Sequence, residues 1–447
     1  MKTIWLKGTA AFAITFALGC VTAPPGHDTA RQIQSATGLA GAIAFRTDTL
    51  PLNAPLQVSD SLTLSNAIEQ ALRQSPELQI ALAKVRTALA DAHQSRLLPN
   101  PVLDIALRFP EGGGNTIVET SVSADLIQVL QMPRRISASD AALRAASAHA
   151  VTTALDVITK TQSSYYTVHT LRSEVKLITQ STVHLDELLA IAQRRLKAGE
   201  ITQLDVTTLK AEQAVATIDL RDSRLQLDLE ELALTRLLGQ PEGATDWRLA
   251  SPLPAAHATG NKADNIARAL RTRPEIQAER WQLASLEDKK ALARLAWLEG
   301  AAAGLDAERN SDWSLGPSVS VPLPLFDWGQ ARRSKARAQA IAARHRLTQT
   351  LRQVVQEVRQ AQSSLAQLGI IVRQAREKLI PLQTERVRLA RAVYEAGQSD
   401  ITPLRLAELD LVEAQLKLLH LNHRTTLSII ALDRATGGNM EDKPNDQ

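Results

Sequence analysis

At 447 residues the chain could hold two or three ordinary domains, and 44% of its residues are hydrophobic although only 3% are aromatic. A composition dominated by Ala, Leu, Gln, Arg and Glu is typical of long helices and coiled coils, and argues against a compact α/β enzyme. The formal net charge is only +4, and Lys2 and Lys7 contribute two of those charges within an N-terminal leader. So small a charge argues against a nucleic-acid partner.

Residues 1–19 have the features of a secretory signal peptide. Two lysines precede an apolar run from Ala10 to Leu18, which at about nine residues is too short to span a bilayer. Cys20 is the only cysteine, and its position directly after Gly19 resembles a bacterial lipobox. We therefore predict that the mature chain begins at Cys20 and carries a lipid there. An ordinary secretory signal that leaves one unpaired cysteine is the alternative, and both interpretations export the protein.

The first part of the mature chain predicts a linker and then two helices. Residues 20–60 show no helical or alternating pattern and contain Pro24, Pro25, Pro51 and Pro55, which is typical of an extended linker. Helical periodicity then predicts a short helix at 65–73, which ends before Pro76, and a longer one at 77–98.

Two stretches with a period of two follow, at 102–109 and 118–126. They predict a hairpin with an apolar face, formed by Leu103, Ile105, Leu107, Val118 and Val122, and a polar face that includes Ala106. Weaker alternation occurs at 301–309 and 316–325. If these strands cross a membrane, several chains must close one barrel, because open strand edges are not tolerated in lipid.

Long helices occupy most of the remaining sequence. Residues 134–198 contain no Gly or Pro, and as one helix they would be about 97 Å long. A return helix at 202–238 follows. The second half predicts a short helix ending at 271, a helix at 275–298, and a long helix from 330 to 397 with kinks at Gly369 and Pro381. Its return helix ends at Gly437, and residues 439–447 are predicted to be disordered.

The chain contains an internal duplication with an offset of 198 residues. Gly199 and Gly397 each follow a long helix, where glycine suits the left-handed position after a helix end. Pro76-Glu77 and Pro274-Glu275 repeat at the same offset. We therefore predict two repeats, 61–245 and 246–438.

Each predicted corner also contains a helix start. Thr202 and Asp205 form a capping-box pattern after the first glycine, and Thr402-Pro403 predicts an N-cap threonine with proline at the first helical position after the second. Both corners are therefore predicted to be tips of helical hairpins.

These duplicated hairpin-plus-helix units, the two Pro-Glu helix starts and the paired glycine corners resemble the TolC-type outer-membrane factors, across residues 61–438. The lipobox resembles the lipoprotein branch of that family. The resemblance implies a mainly α fold with a small β part. It further implies a homotrimer in which four strands per subunit share one transmembrane β-barrel, while antiparallel helical hairpins form an α-barrel in the periplasm. The expected function is the exit duct of a tripartite efflux system, with a periplasmic adaptor protein and an inner-membrane transporter as partners.

The resemblance also implies a role for the corners, where the family closes its tunnel and contacts the adaptor. Asp205 and Tyr394 match an Asp and a Tyr that bond across the closed tip in the family. The family's arginine is replaced by Ser399, and its acidic ring by Pro403 and Leu406. The alternative is that Asp205 only caps its helix and Tyr394 packs on apolar neighbours. Gly199, Asp205, Tyr394 and Gly397 are thus the predicted tip and adaptor-contact residues.

Other chemistry is not favoured by the sequence. Residues 163–166, Ser-Ser-Tyr-Tyr, lack a glycine-rich elbow or a placed base, so we expect no enzymatic activity. His420 and His423 lie three apart on the last helix without a visible third ligand, which favours solvated helix surface over a metal site. No cofactor is expected. A channel for type I protein secretion and a structural periplasmic coiled-coil lipoprotein remain the alternative functions.

Overall fold

The computed structural model describes residues 44–53, 61–109, 111, 116–245, 247–250, 261–309 and 312–438. The predicted signal peptide, Cys20 and the predicted tail at 439–447 lie outside these residues. The described part of the predicted linker, 44–53, contains no helix or strand, and it lies against the helices. The Arg46 backbone N–H donates to Gln79 Oε1 at 3.0 Å, and the Asn53 amide donates to Glu242 at 2.7 Å.

The described residues form nine α-helices and four strands. In chain order these are α1 (Leu64–Gln74), α2 (Pro76–Gln94), β1 (Val102–Arg108), β2 (Ile117–Asp125), α3 (Leu126–Lys197), α4 (Gln203–Leu237), α5 (Lys262–Thr272), α6 (Pro274–Leu292), β3 (Ala302–Arg309), β4 (Trp313–Ser320), α7 (Gln330–Gln374), α8 (Ile380–Glu395) and α9 (Thr402–Ala435). A 3-10 turn (Ala293–Leu298) extends α6, and a π turn (Ala375–Leu379) joins α7 to α8. None of the described helices combines the length and the apolar character needed to cross a bilayer.

Helix α3 is longer than predicted. It contains 72 residues and is therefore about 108 Å long. It begins at Leu126 and not at residue 134, because Asp125 caps it by accepting a 2.8 Å hydrogen bond from the Gln128 N–H. Pro133 lies inside the helix, about two turns from its start, so the predicted start at residue 134 was wrong.

The helices lie side by side in a single row, and each hydrophobic cluster sits between neighbours. In the half near the strands, α3 packs between α2 and α6, and α7 packs on the far side of α6. In the other half α3 packs between α4 and α9, and α9 also contacts α7 and α8. The order there is α4, α3, α9, α7–α8, so α4 and α8 are the edge helices.

The duplication predicted from the sequence is confirmed in three dimensions. The return helices α4 and α9 each end before a glycine with positive φ, Gly239 at 79° and Gly437 at 97°, again 198 residues apart. Each end contacts the short first helix of its own repeat: the Gln70 amide donates to Leu238 O at 3.4 Å, and Thr272 Oγ1 donates to Thr436 O at 3.0 Å.

The irregularity in the second long helix lies at the π turn, next to one of the two predicted kinks. Gly369 lies within the uninterrupted α7, whereas Pro381 directly follows the π turn. Buried residues of α7 correspond to buried residues of α3 at an offset of 197, as Leu368 does to Leu171. Below the turn the offset is 198, as at the two corner glycines. The π turn therefore holds one inserted residue, which is the usual origin of such turns.

The four strands form one antiparallel sheet in the order β1-β2-β3-β4, with β1 and β4 as its edges. Strand β4 begins at Trp313, which pairs with Arg309, and ends at Ser320. The predicted range of 316–325 was wrong at both ends. The alternation continues through Pro322 and Pro324, but proline has no N–H to donate to a neighbouring strand.

Candidate functional site

The first corner joins α3 to α4. Arg194, Arg195 and Lys197 occupy the last turn of α3, where positive charge suits the helix dipole. Gly199 follows with φ +77°, and the Glu200 N–H donates to Arg195 O at 2.9 Å. Only glycine adopts this backbone readily, so the residue sets the sharp reversal of the chain.

Asp205 caps the helix that leaves this corner. The Thr202 N–H donates to Asp205 Oδ2 at 2.8 Å, and the Asp205 N–H donates to Thr202 Oγ1 at 3.3 Å. These hydrogen bonds from Thr202 hold the pKa of the exposed Asp205 carboxyl below its usual range. The predicted capping box is confirmed.

The second corner has the same glycine but a different helix start. Gly397 has φ +68°, and its N–H donates to Tyr394 O at 2.9 Å. Thr402 is the first residue of α9 and not its N-cap, so that prediction was wrong by one residue. Asp400 serves this end instead: it accepts from the Ile401 N–H at 2.7 Å and from Thr402 Oγ1 at 2.8 Å.

The two corners are joined by an ion pair between Arg195 and Asp400. Arg195 also pairs with Glu200 at 3.0 Å. Burial opposes ionisation of Asp400, but the hydrogen bonds from Thr402 and Ile401 and the charge of Arg195 hold its pKa below the usual range. Sequence reasoning missed this pair. The basic last turn of α3 was its only signal, because the partner lies 205 residues away.

The predicted pair of Asp205 and Tyr394 is not formed within one chain. In the part of the chain that the structure describes, Asp205 bonds to Thr202 only, and the Tyr394 hydroxyl has no hydrogen bond. The Tyr394 side chain is 41% exposed. The role of Asp205 and Tyr394 in closing a tip therefore stays a prediction about neighbouring copies.

A ladder of polar contacts between α3 and α9, called here the α3–α9 seam, continues upward from the corners. Arg405 pairs with Glu187 at 2.7 Å, and His184 Nδ1 lies 3.5 Å from Glu408 Oε2. Glu408 also pairs with Arg405 and with Arg391 of α8. Three helices, α3, α8 and α9, are thus held together near the tips by charges.

The two histidines of α9 lie in the upper part of this seam. His420 is exposed, and its Nε2 lies 2.9 Å from Glu174 Oε2. His423 is half-buried, and its Nδ1 lies 3.2 Å from Thr170 Oγ1. Burial, together with the nearby His420, lowers the pKa of His423. The interpretation as solvated surface was therefore right for His420 and wrong for His423. Among the described residues no group of three His, Cys, Asp or Glu could hold a metal ion.

An ionic cluster bridges the gap where α9 ends and α6 begins. Arg434, in the last turn of α9, pairs with Glu275, in the first turn of α6, and with Asp156 of α3 at 2.8 Å. Arg273 also pairs with Glu275 at 3.2 Å. Burial opposes ionisation of Glu275, but the two arginines hold its pKa below the usual range. The cluster lines a cavity of about 780 Å³ between α3, α6, α7 and α9.

Tyr165, within the Ser-Ser-Tyr-Tyr run, has a structural contact. Its buried hydroxyl lies 2.9 Å from Leu62 O and 2.7 Å from Ala250 O, beside the short parallel bridge of Leu62 with Leu249. Burial, with a smaller effect of the Tyr166 ring, raises the pKa of Tyr165 to about 12. Tyr165 therefore fastens the segments before α1 and after α4 to the middle of α3.

The sheet has two chemically different faces. Its pairing places the predicted apolar residues on one face, together with the apolar residues of the second hairpin: Leu103, Ile105, Leu107, Val118, Val122, Leu305, Leu315 and Val319. The opposite face contains Ala106 and five carboxylates: Asp104, Glu119, Asp125, Asp306 and Glu308. Arg108 pairs with Glu119 at 2.8 Å. The predicted division of the first hairpin into faces is confirmed, and the acidic character of the polar face is an addition.

Comparison with known proteins identifies this architecture. The model of the outer membrane efflux protein family matches the chain twice, at residues 67–240 and 265–438. The cobalt-zinc-cadmium resistance protein CzcC of Cupriavidus metallidurans is 23% identical over 86% of this chain and 92% of its own length.

Two solved structures have the same fold. The outer membrane protein VceC of Vibrio cholerae is 20% identical, with a TM-score of 0.68 over 85% of this chain and 97% of its own. The open MtrE outer membrane channel of Neisseria gonorrhoeae is 17% identical, with a TM-score of 0.66 over 89% and 98%. Since the family model spans both repeats, the long helices, both corners and all four strands, the chain is a member of the outer membrane efflux protein family.

Proposed function

We propose that this protein is the outer-membrane exit duct of a tripartite efflux system, and that three copies form it. The observation that carries the proposal is the sheet with one apolar face, one acidic face and two unpaired edges, whose second strand continues into α3, a helix about 108 Å long. Open edges are not tolerated in lipid, so the sheets of three subunits would close one barrel with the apolar face toward the membrane. The helices would continue the duct through the periplasm.

The partners follow from this arrangement. The hairpin tips lie at the far end from the strands, so a periplasmic adaptor protein would contact the tips and connect them to an inner-membrane transporter. Gly199, Asp205, Tyr394 and Gly397 are the proposed contact residues. Lipid at Cys20 would add an anchor beside the barrel, and the protein would have no catalytic role of its own.

Divalent metal cations are the proposed cargo. CzcC is named for cobalt, zinc and cadmium resistance. The acidic face of the sheet, which would line the lumen, attracts cations and supports this choice. The test is a deletion strain that is complemented with the gene and challenged with these three metals and with a panel of hydrophobic drugs. Restored metal resistance is expected. Restored resistance to drugs but not to metals would overturn the proposed metal cargo. If neither resistance is restored, the proposed efflux function is overturned.

The tips can be tested separately. We expect Tyr394→Phe to raise single-channel conductance in planar bilayers without dissociating the trimer, because it removes a hydroxyl proposed to bond across the closed tip. Gly397→Leu should block efflux, because a side chain in the left-handed region costs roughly 1–2 kcal/mol and would distort the adaptor contact. Gly369→Leu is the matched control, since Gly369 lies in regular helix and a Cβ added there would have open space around it. Unchanged conductance in Tyr394→Phe together with intact efflux in Gly397→Leu would mean that both corners are turns without a role in gating or adaptor contact.

A further inference from the structure

A cavity of about 440 Å³, here called the α5 pocket, lies where α5 packs on α7 beside the last turn of α9. Its volume is in the range of small-molecule sites, about 300–1,000 Å³. Its wall includes residues of all three helices: Lys262, Asn265, Arg359, Gln362, Ser363 and Leu432. None of these residues lines the larger cavity at the ionic cluster, so the α5 pocket is a separate space.

The pocket contains a buried amide group that the chain does not use. Asn265 is only 6% exposed, and its Nδ2 has no hydrogen-bond partner among the described residues. Gln362 of α7 contributes a second amide, whose Oε1 is likewise buried and without a donor in the described part of the chain. Burial of an unpaired amide is unfavourable, because the group loses its hydrogen bonds to water. Asn265 therefore offers a donor to a ligand in the pocket.

The charges around the pocket favour an anion. Lys262 and Arg359 are exposed, and neither forms an ion pair with a described residue. The pocket also lies at the start of α5, where Asn261 makes no side-chain hydrogen bond to the first turn, so N–H groups remain free there. Asp264 is the one acidic residue of that turn, but it lies about 160° around the helix from Lys262.

The first repeat shows that helix α5 does not need these polar residues for its fold. At the offset of 198, Lys262 and Asn265 correspond to Leu64 and Ala67 of α1. Ala67 is fully buried in a hydrophobic cluster, and Leu64 packs against that cluster. Thr63 caps α1 by accepting a 3.2 Å hydrogen bond from a backbone N–H of the first turn. The first repeat thus has an apolar contact and a capped helix where the second has an unpaired amide and an uncapped helix.

The α7 side of the pocket differs from the first repeat in the same direction. At the offset of 197, Gln362 and Arg359 correspond to Tyr165 and Gln162 of α3. The Tyr165 side chain is fully buried in the same hydrophobic cluster, and two backbone carbonyls satisfy its hydroxyl. The second repeat therefore has two amides and two cations in place of a packed, satisfied contact.

We propose that the α5 pocket binds a small oxyanion, a carboxylate or a phosphate group. The Asn265 amide and the free N–H groups at the start of α5 donate to its oxygens, and Lys262 and Arg359 supply the opposite charge. This ligand has the opposite charge to the cations proposed as cargo. The site needs only three helices of one chain, so the inference does not rest on the proposed function.

Titration calorimetry of the purified full-length protein in detergent, in a buffer low in chloride, tests the site. The probes are inorganic phosphate and succinate, and we expect saturable binding of at least one of them. Asn265→Ala, which introduces the residue of the first repeat, should weaken binding roughly tenfold, because a hydrogen bond to a charged group is lost. Arg359→Gln should weaken binding by about threefold to fivefold.

Arg352→Gln is the matched control, since Arg352 is exposed one heptad before Arg359 on α7 and does not line the pocket. It should bind both probes as the parent does. A preference for phosphate would assign a phosphate-bearing ligand to the site, and a preference for succinate a carboxylate-bearing one.

The site is overturned if neither probe binds saturably, if Asn265→Ala binds as well as the parent, or if Arg352→Gln weakens binding as much as Arg359→Gln does. Thermal unfolding without anion checks the fold of Asn265→Ala, which should melt no lower than the parent because it removes an unpaired buried amide. Metal resistance of the complemented strain is scored separately, so failure of the site and failure of the proposed function are distinguishable.

Discussion

The two faces of β1 allow a sharp test of the membrane assignment with neighbouring substitutions. Ile105 is 64% exposed in the single chain and lies on the apolar face, in one row with Thr120, Ala307 and Leu315. An arginine at the bilayer midplane costs roughly 2–4 kcal/mol in a transmembrane barrel. A trimer carries three copies of the variant, so the total cost to the assembly is roughly 6–12 kcal/mol if the sites are independent. That is comparable to the whole stability of a typical folded protein.

Ala106→Arg is the matched control, one residue along the same strand. Position 106 lies on the acidic face, directly opposite Glu119 of β2. Glu119 in turn lies opposite Glu308 of β3 in the strand register. A cross-strand pair of opposite charges contributes roughly 0.2–1 kcal/mol. The same new side chain should therefore be neutral or slightly stabilising here.

The assay is the amount of heat-modifiable trimer in outer-membrane fractions, measured together with efflux by the complemented strain. Ile105→Arg should reduce both strongly, and Ala106→Arg should leave trimer and efflux close to the parent level. Equal damage from the two variants would refute the division into a lipid face and a lumen face. Greater damage from Ala106→Arg would mean that the sheet is oriented the other way.

Three further predictions concern single positions. Gly304→Val should reduce trimer yield, because any Cβ there would collide with a carbonyl oxygen of β2, whereas Gly316→Val, with open space around it, should not. Arg195→Gln should raise the open probability of single channels by no more than about fivefold per subunit, since exposed ion pairs contribute roughly 0.2–1 kcal/mol; Arg194→Gln, which changes a neighbouring arginine outside that pair, should have no effect. Cys20→Ser should abolish fatty-acid labelling while the protein stays in the membrane fraction, and labelling that persists would exclude lipid at this residue.

Features with a short sequence period were predictable. The strand faces were assigned correctly because a period of two needs only neighbouring residues, and Leu103 to Leu107 contain it in full. The corner glycines were found because a left-handed residue after a helix has a local signature, and the duplication because Gly199 and Gly397 repeat it. Element ends were less predictable wherever proline was involved. Proline lies inside α3, and the sheet ends before a stretch that contains proline.

Contacts between distant residues were not predictable in the same way. The ion pair joins Arg195 to Asp400, which is 205 residues away. The Tyr165 hydroxyl contacts the carbonyl of Leu62, which is 103 residues away. An exposed arginine in a last helical turn is explained equally well by the helix dipole, so its sequence context does not identify a partner. The π turn likewise changes the offset between the two repeats by only one residue. This change becomes visible once the buried positions of the two repeats are compared.

The two copies of one unit differ in chemistry near the lower end of each long helix. In the first repeat this part of α3 carries His184, Glu187 and Arg195, and every one of them has a charged partner on α9 or in the corner before it. The pair of Arg195 with Asp400 is partly open to water, so separating it costs little, because water replaces each partner. In the second repeat the equivalents of His184 and Arg195 are apolar, Leu382 and Val393, and only Glu385 keeps the charge of Glu187. Exposing apolar surface to water costs about 25 cal/mol for every Å². If the tips open, we therefore expect the two corners to part where Arg195 meets Asp400, at the lower end of the α3–α9 seam. The Arg195→Gln variant removes this ion pair and leaves the apolar clusters between the helices unchanged, so we expect a change in open probability without loss of trimer.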